Sequence, residues 1–171
     1  YEGAPKKAET TFTFESWMVK PEDIGFDFSR FVPAYFQHLE QRIRDLDQLG
    51  VEADLILFHP YDHWGFARMG EKFDKLYLQY IIARLGSYKN VWWALANEYD
   101  LMALTGQKPL KAWDKIGEWI QEEDPSQHLA SIHNWYDPPQ HKGSTANWYD
   151  QTKPWITHLS IQTDSLYTVP T

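Results

Sequence analysis

Val91-Trp92-Trp93-Ala94-Leu95-Ala96-Asn97-Glu98-Tyr99-Asp100 is the stretch that decides the fold. An apolar run without polar alternation stops abruptly at an Asn-Glu pair. A strand covered on both faces reads this way, because neither face meets water. Ala53–Phe58 has the same character through Leu55-Ile56-Leu57-Phe58 and stops at His59-Pro60-Tyr61-Asp62. Two further strand-like runs follow, Leu129–Ile132 ahead of His133-Asn134 and Trp155–Ile161 ahead of Gln162.

Helix-period positions fill the gaps between the first three runs. Phe36, Leu39, Ile43, Leu46 and Leu49 repeat at that period and end at Gly50, which fits the left-handed residue that closes a helix. Phe73, Leu76, Tyr77, Tyr80, Ile81 and Leu85 form a second face ending at Gly86. A third, Trp113, Ile116, Gly117 and Ile120, is closed by Asp124-Pro125. Strand alternating with helix predicts an α/β fold with a parallel sheet and flanking helices. Glu9–Trp17 alternates more loosely and reads as a strand or an antiparallel excursion, and Asp137–Lys153 as a long polar loop. A dinucleotide-binding fold would need a glycine-rich turn after its first strand, and His59-Pro60-Tyr61-Asp62 is none. A (β/α)₈ barrel is favoured instead. A whole barrel needs ~250 residues, so the 171 residues read as one partial barrel, about strands 2 to 6 of eight. The chain starts at Tyr1 rather than Met and reads as a piece of something longer. A leader peptide, and with it the compartment, cannot be judged from such a start.

Composition narrows the classes further. There is no cysteine, which excludes a disulfide scaffold and a thiolate zinc site. A net charge of −8 argues against a nucleic-acid partner, whose phosphates attract a basic surface. No stretch approaches the ~18 apolar residues of a membrane span, so no membrane partner is expected. Aromatic side chains make up 16% of the chain. A ring-rich core accounts for that, and so does a sugar cleft, where flat apolar ring faces meet the C–H faces of a sugar.

In parallel α/β folds the site lies at the carboxyl ends of the strands. The runs here end at His59, Asn97-Glu98, His133-Asn134 and Gln162, with Tyr61, Tyr99 and Trp135 close behind. One polar strand ending is only the start of a loop. Four on one rim form a ring of hydrogen-bonding groups interleaved with aromatics. Glu98 would stand partly desolvated at that rim, which raises the proton affinity of a carboxyl and suits a general acid. It could equally be a glutamate favoured by a helix N-terminus. Asn97 offers both a donor and an acceptor to a substrate hydroxyl.

The Asn97-Glu98 pair in its strand resembles strand four of the clan A retaining glycoside hydrolases. Together with Leu55-Ile56-Leu57-Phe58-His59-Pro60-Tyr61-Asp62 and Ser131-Ile132-His133-Asn134, it resembles the apiosidase-like branch of those glycosidases, over about residues 28–162. The resemblance implies hydrolysis of O-glycosidic bonds, with Glu98 as acid/base and Asn97 holding the hydroxyl next to the reacting carbon. It implies a sugar subsite lined by His59, Tyr61, Asp62, His133 and Trp135, with Tyr99, Asn134 and Gln162 on the same rim. Such enzymes carry a second, nucleophilic glutamate on strand seven. No Glu follows Glu123 here, and Glu123 belongs to a helix. The nucleophile is therefore expected outside these residues, and the chain alone is expected to be inactive. The implied partner is a carbohydrate, of the kind found in plant-type oligosaccharide side chains; the chemistry needs no metal or organic cofactor.

Other constellations compete with this one. His59, Asp62 and His63, with Asp100, could ligate a metal, but Pro60 opposes the helix that would align the two histidines. No Gly-x-Ser-x-Gly elbow supports a serine triad, and Ser131 falls mid-strand. Trp113 and Trp119 read as helix packing; Trp148 and Tyr149 read as either lid or substrate contacts. The rival functions are a non-catalytic carbohydrate-binding protein on a decayed barrel, and an assembly protein whose open sheet edges pair with another chain.

Overall fold

The computed structural model describes residues 27–61, 65–135 and 149–162. Helix α1 (Pro33–Gln48) opens on Pro33, whose preset φ suits a first turn that needs no N–H from it. It buries Phe36 and Ile43 and leaves its other side to solvent. Gly50 follows at a φ of +69°, the left-handed closure the sequence predicts. Strand β1 (Ala53–Phe58) then leads through a 3₁₀ turn, Phe66–Arg68, into α2 (Glu71–Leu85). Strand β2 (Val91–Asn97), α3 (Tyr99–Leu104), α4 (Lys111–Glu123) and β3 (Ala130–His133) complete the order.

The sheet runs β1-β2-β3 and is parallel throughout. Leu55 pairs with Trp93, and Trp93 with Ala130. On β2, Ala94 pairs with Ser131 and Asn97 with His133, so β2 carries one more residue than β3 over that stretch. Such a bulge re-aims the residues beyond it, and here it sits just before Asn97-Glu98.

Among the described residues, Trp93, Trp113, Tyr99 and Phe58 are the largest fully enclosed side chains. Each contributes roughly 1.5–3 kcal/mol through burial of apolar surface. Trp113 packs edge-on to Phe58 at 5.9 Å, so the helix α4 tryptophans are packing residues as predicted, with Trp119 half-buried against the same core. Between the helices, Lys108 Nζ lies 2.6 Å from Asp74 Oδ2, with both side chains almost wholly enclosed.

The fourth run departs from the sequence reading. Trp155–Ile161 forms no strand; its one ladder contact is a parallel bridge between Ser160 and His133. The reason is local. Thr157 N donates to the Ala130 carbonyl at 2.9 Å, but the return bond from Ala130 N goes to Thr157 Oγ1 at 2.8 Å instead of to a backbone carbonyl. Trp155 meanwhile leaves the sheet line to cover Gly117 of α4, where any Cβ would overlap its ring. Short α3, just after Glu98, had no sequence period long enough to reveal it. Glu9–Trp17, Trp148 and most of the Asp137–Lys153 loop lie outside the described residues.

Candidate active site

The carboxyl ends of β1 and β2 converge on one carboxyl group. Glu98 follows Asn97, the last residue of β2, and caps the start of α3. Its backbone is left-handed, with φ 58° and ψ 55°. A non-glycine residue there is strained by about 1–3 kcal/mol and persists only where its surroundings over-determine it. The side chain is buried, 6% exposed. Tyr61, in the turn beyond β1, donates its hydroxyl to Glu98 Oε2. Burial raises the proton affinity of Glu98 most; the Tyr61 hydrogen bond opposes that, the like charge of Asp100 adds to it, and His133 opposes it. The net direction is upward, as a group that must hold a proton near neutrality requires.

The surrounding loops are tied to one another. Gln107 Nε2 donates to the Pro60 carbonyl at 3.1 Å and braces the turn that carries Tyr61. Tyr61 N donates to His59 Nδ1 at 3.3 Å, and the two rings lie 6.4 Å apart. Asp100 Oδ1 accepts from Trp135 N at 2.6 Å, joining the ends of β2 and β3. His133 sits between Ser160 Oγ at 2.9 Å and Gln162 Oε1 at 3.2 Å. The structure thus gathers Glu98, Tyr61, Asp100 and His133, with Asn97 paired beside them.

Two of the expected rim residues are placed differently. Tyr99 is 1% exposed, and its hydroxyl accepts from Tyr149 N at 2.6 Å. It turns into the core because it opens α3, where the side chain swings away from the strand end. Asn134 is spent on the backbone of Gln162, accepting from its N–H at 3.0 Å and donating to its carbonyl at 3.2 Å. It fastens the fourth run to β3. Tyr149, read as a lid or substrate contact, instead donates to Asp114 and rests against Tyr99 and Trp155. Asp62 and His63 lie outside the described residues, so the metal cluster weighed from sequence is only partly described. Gln107 and Asp100 as loop ties were missed. Asp100 stood in the quoted stretch, but Gln107 reaches Pro60 across a sequence distance that no local signal spans.

A family model described as the apiosidase-like catalytic domain matches residues 6–167. The chain belongs to the apiosidase-like family. A crystal structure of a candidate glycoside hydrolase from Bacteroides vulgatus ATCC 8482 is 45% identical with a TM-score of 0.71, covering 81% of this chain and 25% of that one. A glycoside hydrolase family 5 structure from the same strain is 19% identical with a TM-score of 0.52, covering 71% and 24% respectively. At that identity the second likeness speaks for the fold alone, and it agrees with the partial (β/α)₈ barrel read from the strand-helix order. This apiosidase-like chain spans about a quarter of the length of either solved structure. No curated protein matches it.

Proposed function

We propose that this chain supplies the acid/base half of a retaining glycosidase. The observation that carries the reading is Glu98 itself, a buried carboxyl on strained backbone at the end of a barrel strand, with its proton affinity raised by burial. In the first step Glu98 gives its proton to the leaving glycosidic oxygen while a second carboxylate attacks the anomeric carbon. The C–O bond breaks and a glycosyl ester forms. In the second step Glu98 takes a proton from water, whose oxygen displaces that carboxylate. Asn97 holds the neighbouring sugar hydroxyl, and His59, Tyr61, Asp62, His133 and Trp135 line the subsite. Tyr99 and Asn134 drop out of the lining, since packing and backbone bonds engage them.

The nucleophile comes from outside the 171 residues. Glu123, the last glutamate, closes α4 and accepts from Gln79 at 2.9 Å, on the helix layer rather than at the strand ends. The substrate is a carbohydrate, and the chain alone is inert. The test is Glu98→Gln in the intact protein, assayed on a panel of 4-nitrophenyl glycosides. The expected result is a fall in kcat of about 10²–10⁴-fold. Unchanged hydrolysis would contradict the assignment, and sugar binding without hydrolysis by the unaltered protein would favour the carbohydrate-binding rival.

A further inference from the structure

Tyr61 was read from sequence as one more aromatic on the sugar subsite. Within that lining, its hydroxyl engages the carboxyl itself. It donates to Glu98 Oε2, from a turn whose Pro60 carbonyl is itself held by Gln107. A phenol donating to Oε2 takes up one lone pair of that oxygen and leaves Oε1 as the less encumbered site for a transferable proton. The bond survives both protonation states, but it is stronger to the carboxylate, because a charged acceptor strengthens it.

We propose that Tyr61 is a positioning residue for Glu98, engaging Oε2 from a braced turn so that Oε1 carries the transferable proton. The inference rests on reading Glu98 as the acid/base, and it adds a device that the two-carboxylate scheme does not contain. Burial alone would hold the proton on Glu98 too tightly for its first task, giving it to the leaving oxygen. Among the described residues, the groups facing Glu98 are Tyr61 from the turn after β1, Asp100 from α3 and His133 from β3. Asp100 pushes with burial; Tyr61 and His133 push against it. Burial first, and then the Glu98 carboxylate, raise the proton affinity of the Tyr61 phenol itself. It therefore stays a donor across the working pH range.

The test reads the Glu98 carboxyl without needing turnover. Melting temperatures of the intact protein and its Glu98→Gln variant are compared from about pH 4 to pH 9, and again with Tyr61→Phe in both. The gap between each pair titrates with the folded-state proton affinity of Glu98. Loss of the hydroxyl is expected to move the midpoint of that gap to higher pH. The basic limb of kcat/KM on a 4-nitrophenyl glycoside should move up with it. Asp100→Asn should move both the other way. Were Tyr61 only a wall of the site, its removal would admit water and lower the midpoint, so a fall or no change overturns the proposal. Tyr61→Leu serves as a second deletion of the hydroxyl should the first fail to fold. A raised midpoint alongside normal hydrolysis by Glu98→Gln would keep the Tyr61 role and sink the acid/base reading.

Discussion

Glu98 and Gly117 show what a single residue contributes here. Glu98 was legible because the apolar run ahead of it stops so abruptly that a carboxyl had to stand at a strand end. Its left-handed backbone, at the junction of β2 and α3, and its bond to Tyr61, which comes from a turn far away in sequence, were not legible. Tyr99 and Asn134 mark the complementary limit. Residue type placed them at the rim, but the direction of a side chain follows from local backbone geometry, and one opens a helix while the other is absorbed by Gln162. Gly117 counted only as a member of an apolar helix face. The structure gives it a sharper role, because Trp155 occupies the space its side chain would take. Gly117→Ala is expected to destabilise the fold by about 1–3 kcal/mol through overpacking, measured by urea unfolding. Wild-type stability in that variant would mean that Trp155 does not rest on α4.

At the scale of elements, the joint between α4, β2 and β3 carries a prediction. Asp124, 2% exposed, closes α4 and gathers four donors. Trp93 Nε1 reaches Oδ2 at 2.9 Å, Ser126 N reaches Oδ1 at 3.0 Å, and His128 N reaches Oδ2 at 2.9 Å. His128 Nδ1 lies 2.8 Å from the same oxygen. Burial on its own would raise this carboxyl, but the hydrogen bonds from Trp93, His128 and Ser126 outweigh it and hold it below the usual carboxylate value. A lowered folded-state value means stability present above the unfolded value of about 3.9 and lost as pH falls through the folded one. Asp124→Asn would turn an amide N–H₂ toward donors and should cost about 1–3 kcal/mol at neutral pH. The variant should also lose less further stability on acidification, as melts at neutral and acid pH would show. Equal acid sensitivity in both proteins would contradict this account. Sequence located the helix end through Asp124-Pro125 but gave no hint of the network, which depends on β2 lying beside it. The same dependence explains the fourth run, where apolar content predicted a strand and Trp155 was drawn to α4 instead.

For the whole molecule, the alternation of apolar runs and helix faces made the parallel α/β architecture readable, since burial on both faces of a strand imprints directly on sequence. What closes the barrel was not readable, and the described sheet leaves Ile56 at the centre of β1 55% exposed. In a barrel built around this sheet that side chain is covered. Ile56→Lys should therefore lower the stability of the intact protein by at least the roughly 1.5–3 kcal/mol of a buried aliphatic side chain. A silent substitution, read by thermal melting, would mean that β1 stays uncovered. The central claim is that Glu98 is the acid/base of a retaining reaction completed by a carboxylate elsewhere. It is tested most directly by Glu98→Ala in the intact protein, on a 2,4-dinitrophenyl glycoside with and without azide. That leaving group needs no acid, so the first step should proceed and the second should stall for want of a base. Azide, which needs no base, should then restore turnover and give a glycosyl azide of retained anomeric configuration. Hydrolysis by the variant at the wild-type rate without azide, or an inverted azide product, would contradict the account.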